Sequence, residues 1–366
     1  MTSNNDFFLL LNFLFYFNPR LISFCKNHFS SSLELINNLH LLPFEKKTAA
    51  NKPDILQKKI QSFCITSYHK LLHSHQIKVC YIEDKEYPMM LKEIDDPPPL
   101  FFYKGNIELA NFKQLSVVGP RKPSDYAIQA TQHIIVPILE HFIITSGLAS
   151  GIDSCAHQTS IDYGFPTIAV IGTGLLHYYP SCNMSLQNKI ADSGLLISEF
   201  PPNCKSLPFH FPFRNRIVAG LATGVLISEA SKKSGSLITA NLALDYYREV
   251  YAIPGNIFNS NTEGSHRLLK DGAKMVTSAH DILEDFPDLQ KVNPTSPNSI
   301  IKNNLSTNLT STEEAFLSIF SDQPISLDSI CNESNLSIQE ILQFLSLFEL
   351  KGYLKELPGK SYILTI

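Results

Sequence analysis

The sequence predicts an α/β protein with a parallel sheet at its centre and helical segments on either side, and three observations carry that prediction. Short apolar runs recur from Leu115 to about Phe286 (LSVVG, FIITS, TIAVIG, LLISEF, GVLISEA, EVYAIPG and AKMV), and amphipathic stretches of helix length separate them. The runs are continuously apolar rather than alternating, as expected for strands buried on both faces. Residues ahead of them, 1–76, are periodic at helix spacing, whereas 311–366 read as helix, turn, helix, helix and a strand pair. The expected architecture is an extended Rossmann-like sheet over 77–286, a helical domain over 1–76, a linker over 287–310 and a winged helix over 311–366.

Taken in order, Phe7–Phe17, Pro19–Phe29 and Ser32–Leu39 read as helices, and apolar periodicity returns from Ile55 to Leu72. The run FFLLLNFLFYF is too short to span a bilayer, lacks a basic flank and is followed by no small-residue cleavage site, so a buried helix is expected. No other segment suggests a membrane span. A short strand, KVCYI, follows, and Pro97–Pro99 impose an extended lead-in to the first parallel strand. Residues 287–310 are rich in Pro, Ser and Asn, the composition of a linker.

Composition narrows the function. With 366 residues, 44% apolar and 17% charged, the chain is globular, and its net charge of −4 excludes coating nucleic acid through global charge. Any polyanion site must be local. Seven cysteines (Cys25, Cys64, Cys80, Cys155, Cys182, Cys204, Cys331) form no Cys-x-x-Cys pair, which suits reduced thiols in a cytoplasmic protein and gives no zinc framework. His69, His73 and His75 have metal-compatible spacing without an acidic or thiol companion, so solvated histidines and no metal site are expected.

In an open parallel sheet, ligands bind beyond the carboxyl ends of the strands. The loops expected there are Gly119-Pro120-Arg121-Lys122, Ser146 to Gly151, Gly172-Thr173-Gly174, Glu199 to Pro202, Glu229 to Ser236, and Pro254-Gly255-Asn256. Glycine admits close backbone approach, and a following helix start contributes its positive dipole end. A dinucleotide loop needs G-x-G-x-x-G, but His177 occupies the third glycine position after Gly172-Thr173-Gly174. Neither a Walker A loop nor a G-x-S-x-G elbow is present. No cofactor is expected. Glu199 and Glu229 end strands and are expected to bond loop amides and arginines rather than to act as paired acids.

Charge singles out one region. Between Pro201 and Gly235, Lys205, Arg214, Arg216, Lys232 and Lys233 face Glu229 alone, an excess of +4 from five cations and one acid. Interleaved is Phe209-His210-Phe211-Pro212-Phe213. Cations that follow phosphates beside rings that stack on bases are the ingredients of single-strand recognition, whereas a core-packing loop with solvated arginines is the alternative. The residues therefore predict a binding protein rather than an enzyme.

These segments also resemble the DNA-processing protein A (DprA/Smf) family: VGPRKPSDYA, TSGLASGIDSCAHQ, TIAVIGTGLLHYYP, LLISEFPP, FPFRNRIVAGL, GVLISEASKKSGSLITANLAL, REVYAIPG and GSHRLLKDGAK. The resemblance implies an extended Rossmann fold that binds single-stranded DNA, dimerises and loads the RecA recombinase in natural transformation. It implies that Arg121 holds a phosphate and that Ser146, Gly147 and Leu148 offer backbone amides. Lys205, Phe211, Arg214, Asn215 and Arg216 would line the strand-binding pocket, Lys233, Ser234, Gly235 and Ser236 would close it, and Thr239 would face the same mouth.

The chain departs from the family pattern in several places. Pro120 replaces a small residue and removes an amide donor. Ser150 stands where an arginine is common. The N-terminal helices resemble a helix-hairpin-helix region, a SAM-like domain, yet Tyr16 to Arg20 include no hairpin glycine. Ser311–Ile366 holds eight acids against Lys351, Lys355 and Lys360, a balance of −5, and Ser337–Leu350 has no Lys or Arg, so protein contact rather than groove reading is expected there. The competing reading is a Rossmann-like nucleotide-processing enzyme of the phosphoribohydrolase type. Such enzymes carry a catalytic glutamate in a P-G-G-x-G-T-x-x-E loop, whereas Ser234 to Ala240 contain no acid.

Overall fold

The computed structural model describes residues 4–44, 52–287, 289, 316, 319–320, 325–334, 336–350, 354–357 and 361–364. The chain divides into two compact units, Met1–Ser299 and Ile300–Ile366. Apart from Pro287 and Leu289, the stretch expected to be a linker lies outside the described residues.

The first unit opens with α1 (Asn4–Phe15), α2 (Pro19–His28), α3 (Ser32–Asn37), α4 (Pro53–Ser62) and α5 (Ile65–Ser74). The periodicity from Ile55 to Leu72 is thus two helices. Phe63 and Cys64 are extended, and the Phe63 ring packs between Phe13 (5.1 Å) and Tyr68 (5.2 Å), so tertiary ring packing overrides continuous helix. After β1 (Lys78–Tyr81), α6 (Met89–Lys92) and β2 (Leu100–Gly105), strands and helices alternate: β3 (Gln114–Val118), α7 (Asp125–Ile135), β4 (Ile143–Ser146), α8 (Ile152–Asp162), β5 (Thr167–Val170), α9 (Met184–Ser193), β6 (Leu195–Ser198), α10 (His210–Leu221), β7 (Gly224–Ile227), α11 (Ser236–Asp245), β8 (Glu249–Ala252), α12 (Glu263–Lys270), β9 (Lys274–Met275) and α13 (His280–Leu283).

The sheet order is β1-β2-β6-β5-β4-β3-β7-β8-β9. Every pairing from β6 through β9 is parallel, as the seven apolar runs predict. β2 joins β6 antiparallel and β1 joins β2 antiparallel, so the extended lead-in after Pro97–Pro99 is itself a strand and the sheet is mixed. Strands β3 to β7 are buried along their whole length, the burial that continuous apolar runs require. Leu115 and Val117 face one core with α7 and α8, whereas Val118 faces another with α10 and α11.

The N-terminal helices share a core with the sheet: Phe7, Phe8, Leu11 and Ile22 cluster with Leu100, Phe102, Ala169 and Leu196. The buried Asn12 side chain donates to the Glu199 carbonyl at 3.0 Å, which ties α1 to the end of β6.

The second unit holds β10 (Ile325–Ser326), α14 (Leu327–Glu333), α15 (Ile338–Leu350), β11 (Leu354–Leu357) and β12 (Ser361–Leu364), with sheet order β10-β12-β11. Ile341, Leu345 and Phe348 of α15 are buried against Phe316, Ile330 and Tyr362, so the apolar stripe of this helix forms the unit's own core. Among the described residues, no helix is long and apolar enough to cross a membrane.

Candidate functional site

The chain runs β3, β4, β5, β6 across one half of the sheet, and α10 then carries it back to β7 on the other side of β3. At such a reversal the loops on either side diverge and leave a crevice beyond the strand ends. A cavity of about 330 Å³ lies there. Gly119 to Arg121 border it after β3, Ala149 after β4, and Ser234 to Ser236 after β7, with Phe211, Arg214 and Asn215 of α10 closing the side. A smaller hollow of about 80 Å³ shares Arg121, Ala149, Phe211 and Arg214 with it and adds Gly147, Ser150 and Tyr179.

Phe211, Arg214 and Asn215 stand at i, i+3 and i+4, so one face of α10 presents all three. Arg121 is exposed, its Cζ 5.5 Å over the Phe211 ring, and the Tyr179 ring lies 5.0 Å from the other partner of that contact, Phe211 itself. A cation and two rings thus line the rim. Arg214 is buried beneath them. Its Nη1 donates to the Gly147 and Val170 carbonyls, and its Nε donates to Asn215 Oδ1 at 3.2 Å. Burial lowers the Arg214 pKa to about 10, against the pull of Asp153, and the group remains cationic at neutral pH. Asp153, in the first turn of α8, is also buried. Desolvation raises its pKa, while Arg214 and the Ala149 amide at 3.2 Å pull the other way. The opposite wall is the start of α11, where Ser234 and Ser236 hydroxyls bond at 2.7 Å and the helix dipole adds positive potential.

The loop after β4 is held in an unusual shape. Leu148 has φ +57°, a conformation rare for a residue with a branched side chain, and its side chain is fully buried. Asn183 Nδ2 donates to its carbonyl at 3.0 Å. Gly151 has φ +86°, and a Cβ there would run into the Pro120 carbonyl, so only glycine fits between the two loops.

The structure brings together Arg121, Gly147, Phe211, Arg214, Asn215, Ser234, Gly235, Ser236 and Thr239, all of which border one of the two hollows. The remaining expected residues, Ser146, Leu148, Lys205, Arg216 and Lys233, border neither hollow. Arg216 points away from the cavity and is 3% exposed. Two residues beyond Arg214, it lies about 200° around the helix. There its Nη2 grips both Glu199 oxygens and its Nη1 donates to the Asp96 carbonyl at 2.7 Å. Ser146 is fully buried, and its hydroxyl donates to the Val117 carbonyl at 2.6 Å. Gly147 and Ala149 turn their amides to the Asp153 carboxyl instead of offering them outward, and Leu148 contributes a core side chain. Lys205 and Lys233 are exposed and border neither hollow.

Glu199 and Glu229 bond an arginine and a loop amide, as expected. Glu199 holds Arg216. Glu229 accepts from the Ser124 amide (3.0 Å) and hydroxyl (2.9 Å), fastening the loop after β3 to the end of β7. His69 bonds Asp6 at 2.7 Å. Tyr179 and Asp153 were not anticipated. The HYYP segment after a strand-end loop was the available signal for Tyr179, and an acid in the first turn of the helix after β4 was the one signal for Asp153.

Residues 78–287 match the family model of DNA recombination-mediator protein A. The chain belongs to the DNA recombination-mediator protein A family. Residues 302–360 match the family's winged helix domain, which agrees with the second unit. DNA processing protein DprA of Streptococcus pneumoniae is 46% identical over 205 residues, spanning 56% of this chain and 73% of that protein. An X-ray structure of DNA processing protein A from Streptococcus pneumoniae superposes with a TM-score of 0.67 at 36% identity, covering 78% of this chain and 98% of that one. A structure reporting the single-stranded DNA binding mode of DNA processing protein A from Helicobacter pylori gives a TM-score of 0.53 at 26% identity, covering 58% and 96%. In this member of the family, the cavity at the strand reversal falls within the matched residues.

Proposed function

We propose that this protein is a single-stranded DNA-binding recombination mediator whose grip on the strand is the cavity between β3, β4 and β7. One observation carries the reading. Arg121, Phe211 and Tyr179 form a cation and ring stack on the rim of a cavity floored by the buried cation Arg214. Exposed cations neutralise phosphates and rings accept bases of any sequence, the combination single-strand binding requires. The cavity is sided by helices α10 and α11, and its volume of about 330 Å³ suits part of a flexible strand rather than a duplex. The Helicobacter pylori relative's single-stranded DNA binding supports the same assignment.

Within that role we place protection of incoming single strands and loading of RecA during natural transformation, by a homodimer acting in the cytoplasm. The family supports this extension. Anisotropy titrations with a fluorescent single strand and the matching duplex, each at two salt concentrations, test the central claim. Tighter binding to the single strand, weakening steeply with salt, is expected. Equal affinity for duplex, or salt-independent binding, would overturn it. Acceleration of RecA filament growth on strands coated by single-strand binding protein tests the loading step.

A further inference from the structure

Outside the cavity, the start of α10 carries a further exposed ring. Pro208, Phe211 and Pro212 line the cavity, and Phe209 between them turns its ring outward, 51% exposed. A second ring meets it from the other end of the chain. Phe17, in the turn joining α1 and α2, is 48% exposed and lies edge-to-face with Phe209, centroids 5.5 Å apart at 86°. Both are braced from beneath: Tyr16 contacts Phe17 at 4.5 Å and packs on buried Phe200 at 5.7 Å, and His210 contacts Phe209 at 4.7 Å. Docking of the N-terminal helices does not depend on this pair. The Asn12 bond to Glu199 and the ring contacts Phe8–Tyr81 and Tyr68–Phe102 already join those helices to the sheet.

A fixed pair of half-exposed rings beside a cation and ring cavity is a surface that purine and pyrimidine faces can cover. Lys205, exposed in the loop that leads to Phe209, makes no side-chain hydrogen bond or ion pair among the described residues, which leaves its ammonium group available to a phosphate. The surface also has an end. Three residues past Phe17, Arg20 borders a separate cavity where Asp95 and Asp245 outnumber it and Asp96 is paired with Arg216, so a polyanion gains nothing there. We infer that Phe209 and Phe17 form a second stacking platform, continuous with the cavity, on which a single strand lays the bases that flank those held inside. The inference rests on the function proposed above, and it makes the turn between the first two helices part of the nucleic-acid path although that turn has no hairpin glycine.

The 366-residue chain contains no tryptophan, so Phe209→Trp in it installs a sole indole reporter. An oligothymidylate of about twenty nucleotides is expected to quench its emission, whereas one of about four, the small end of single-strand site sizes, binds without quenching. The Phe17→Ala/Phe209→Ala pair is expected to lose about tenfold in affinity for the long strand and to keep its affinity for the short one. Phe17→Leu/Phe209→Leu, which preserves apolar volume but removes the ring faces, should behave like the alanine pair and guards against a folding defect. Unchanged indole emission when the long strand is bound by anisotropy, or an undiminished gain of affinity with length in the leucine pair, would overturn the platform and leave the cavity reading intact. Failure of the wild-type protein to bind either strand would overturn both.

Discussion

Arg214 occupies the space a side chain on Gly147 would need. Its Nη1 donates to the Gly147 carbonyl, and a Cβ added at Gly147 would stand 2.5 Å from Arg214 Cζ. The end of β4 and the first turns of α10 therefore fit only while residue 147 lacks a side chain. Because Arg214 is buried, the guanidinium has little room to retreat. Gly147→Ala is expected to destabilise the fold by about 1–3 kcal/mol through overpacking and to weaken oligonucleotide binding about tenfold by displacing the cation at the cavity floor. Thermal melts and anisotropy on the same preparation check both. Full affinity in the variant would remove Arg214 from the site.

Arg121 and Arg216 are expected to separate binding from stability. Arg121 is exposed, so Arg121→Ala should leave the melting temperature unchanged, weaken single-strand binding several-fold and reduce the salt slope by about one. Arg216→Ala would leave Glu199 buried without its partner, at a cost of about 3–5 kcal/mol. Urea titrations together with binding isotherms at several salt concentrations distinguish the two. A stable Arg216 variant defective only in binding would return that residue to the cavity.

His157 gives the fold a pH dependence. Burial, aided by the positive field of Arg214, lowers its pKa to about 3 from 6.5. Thr167 Oγ1 donates to the Ile144 carbonyl at 2.6 Å, so the His157 Nδ1 facing it at 2.7 Å must carry the ring proton, and Nε2 is buried without a hydrogen-bond partner. The unfolded chain binds this proton below about 6.5 and the folded chain does not. The contribution is therefore complete above that pH and declines as pH falls toward 3, with a slope of about 1.4 kcal/mol per pH unit. Asp153 and Glu199 act oppositely: burial raises their carboxyl pKa values, which favours folding at low pH. The informative quantity is the difference between wild type and His157→Asn. That stability gap should narrow by about 2 kcal/mol between pH 7 and pH 5 in urea titrations. A constant gap would refute the buried neutral imidazole.

Ending the chain at Ser299 removes the second unit, and the affinity for single strands is expected to stay within twofold of the full chain. The α15 helix, Ile338–Leu350, carries Glu340 and Glu349 and no Lys or Arg. A large loss of affinity, in anisotropy at matched salt, would assign that unit a nucleic-acid role.

Much of the sheet was legible because parallel strands buried on both faces must be continuously apolar, and each of the seven runs became a strand. The site was legible where loop chemistry alone decides it, at Arg121 and at Ser234 to Ser236. It was less legible where helix rotation decides. A charge count treats Arg214 and Arg216 alike, but two residues of helix turn them to opposite sides, and only the i, i+3, i+4 relation of Phe211, Arg214 and Asn215 separates them. The β2 strand was hidden by its three leading prolines, and in the loop after β4 the Gly147 amide was claimed by Asp153, whose position depends on α8 meeting a helix distant in sequence.

The reversal at β3 has a consequence for biogenesis. Arg121 leaves the ribosome more than a hundred residues ahead of Ser236, yet the two face one another only after β7 has been inserted beside β3. A half-made chain thus has no mouth with which to seize a passing strand. Ligand added to the finished protein stabilises solely the correctly threaded topology, so a rise in melting temperature with oligonucleotide doubles as proof of assembly.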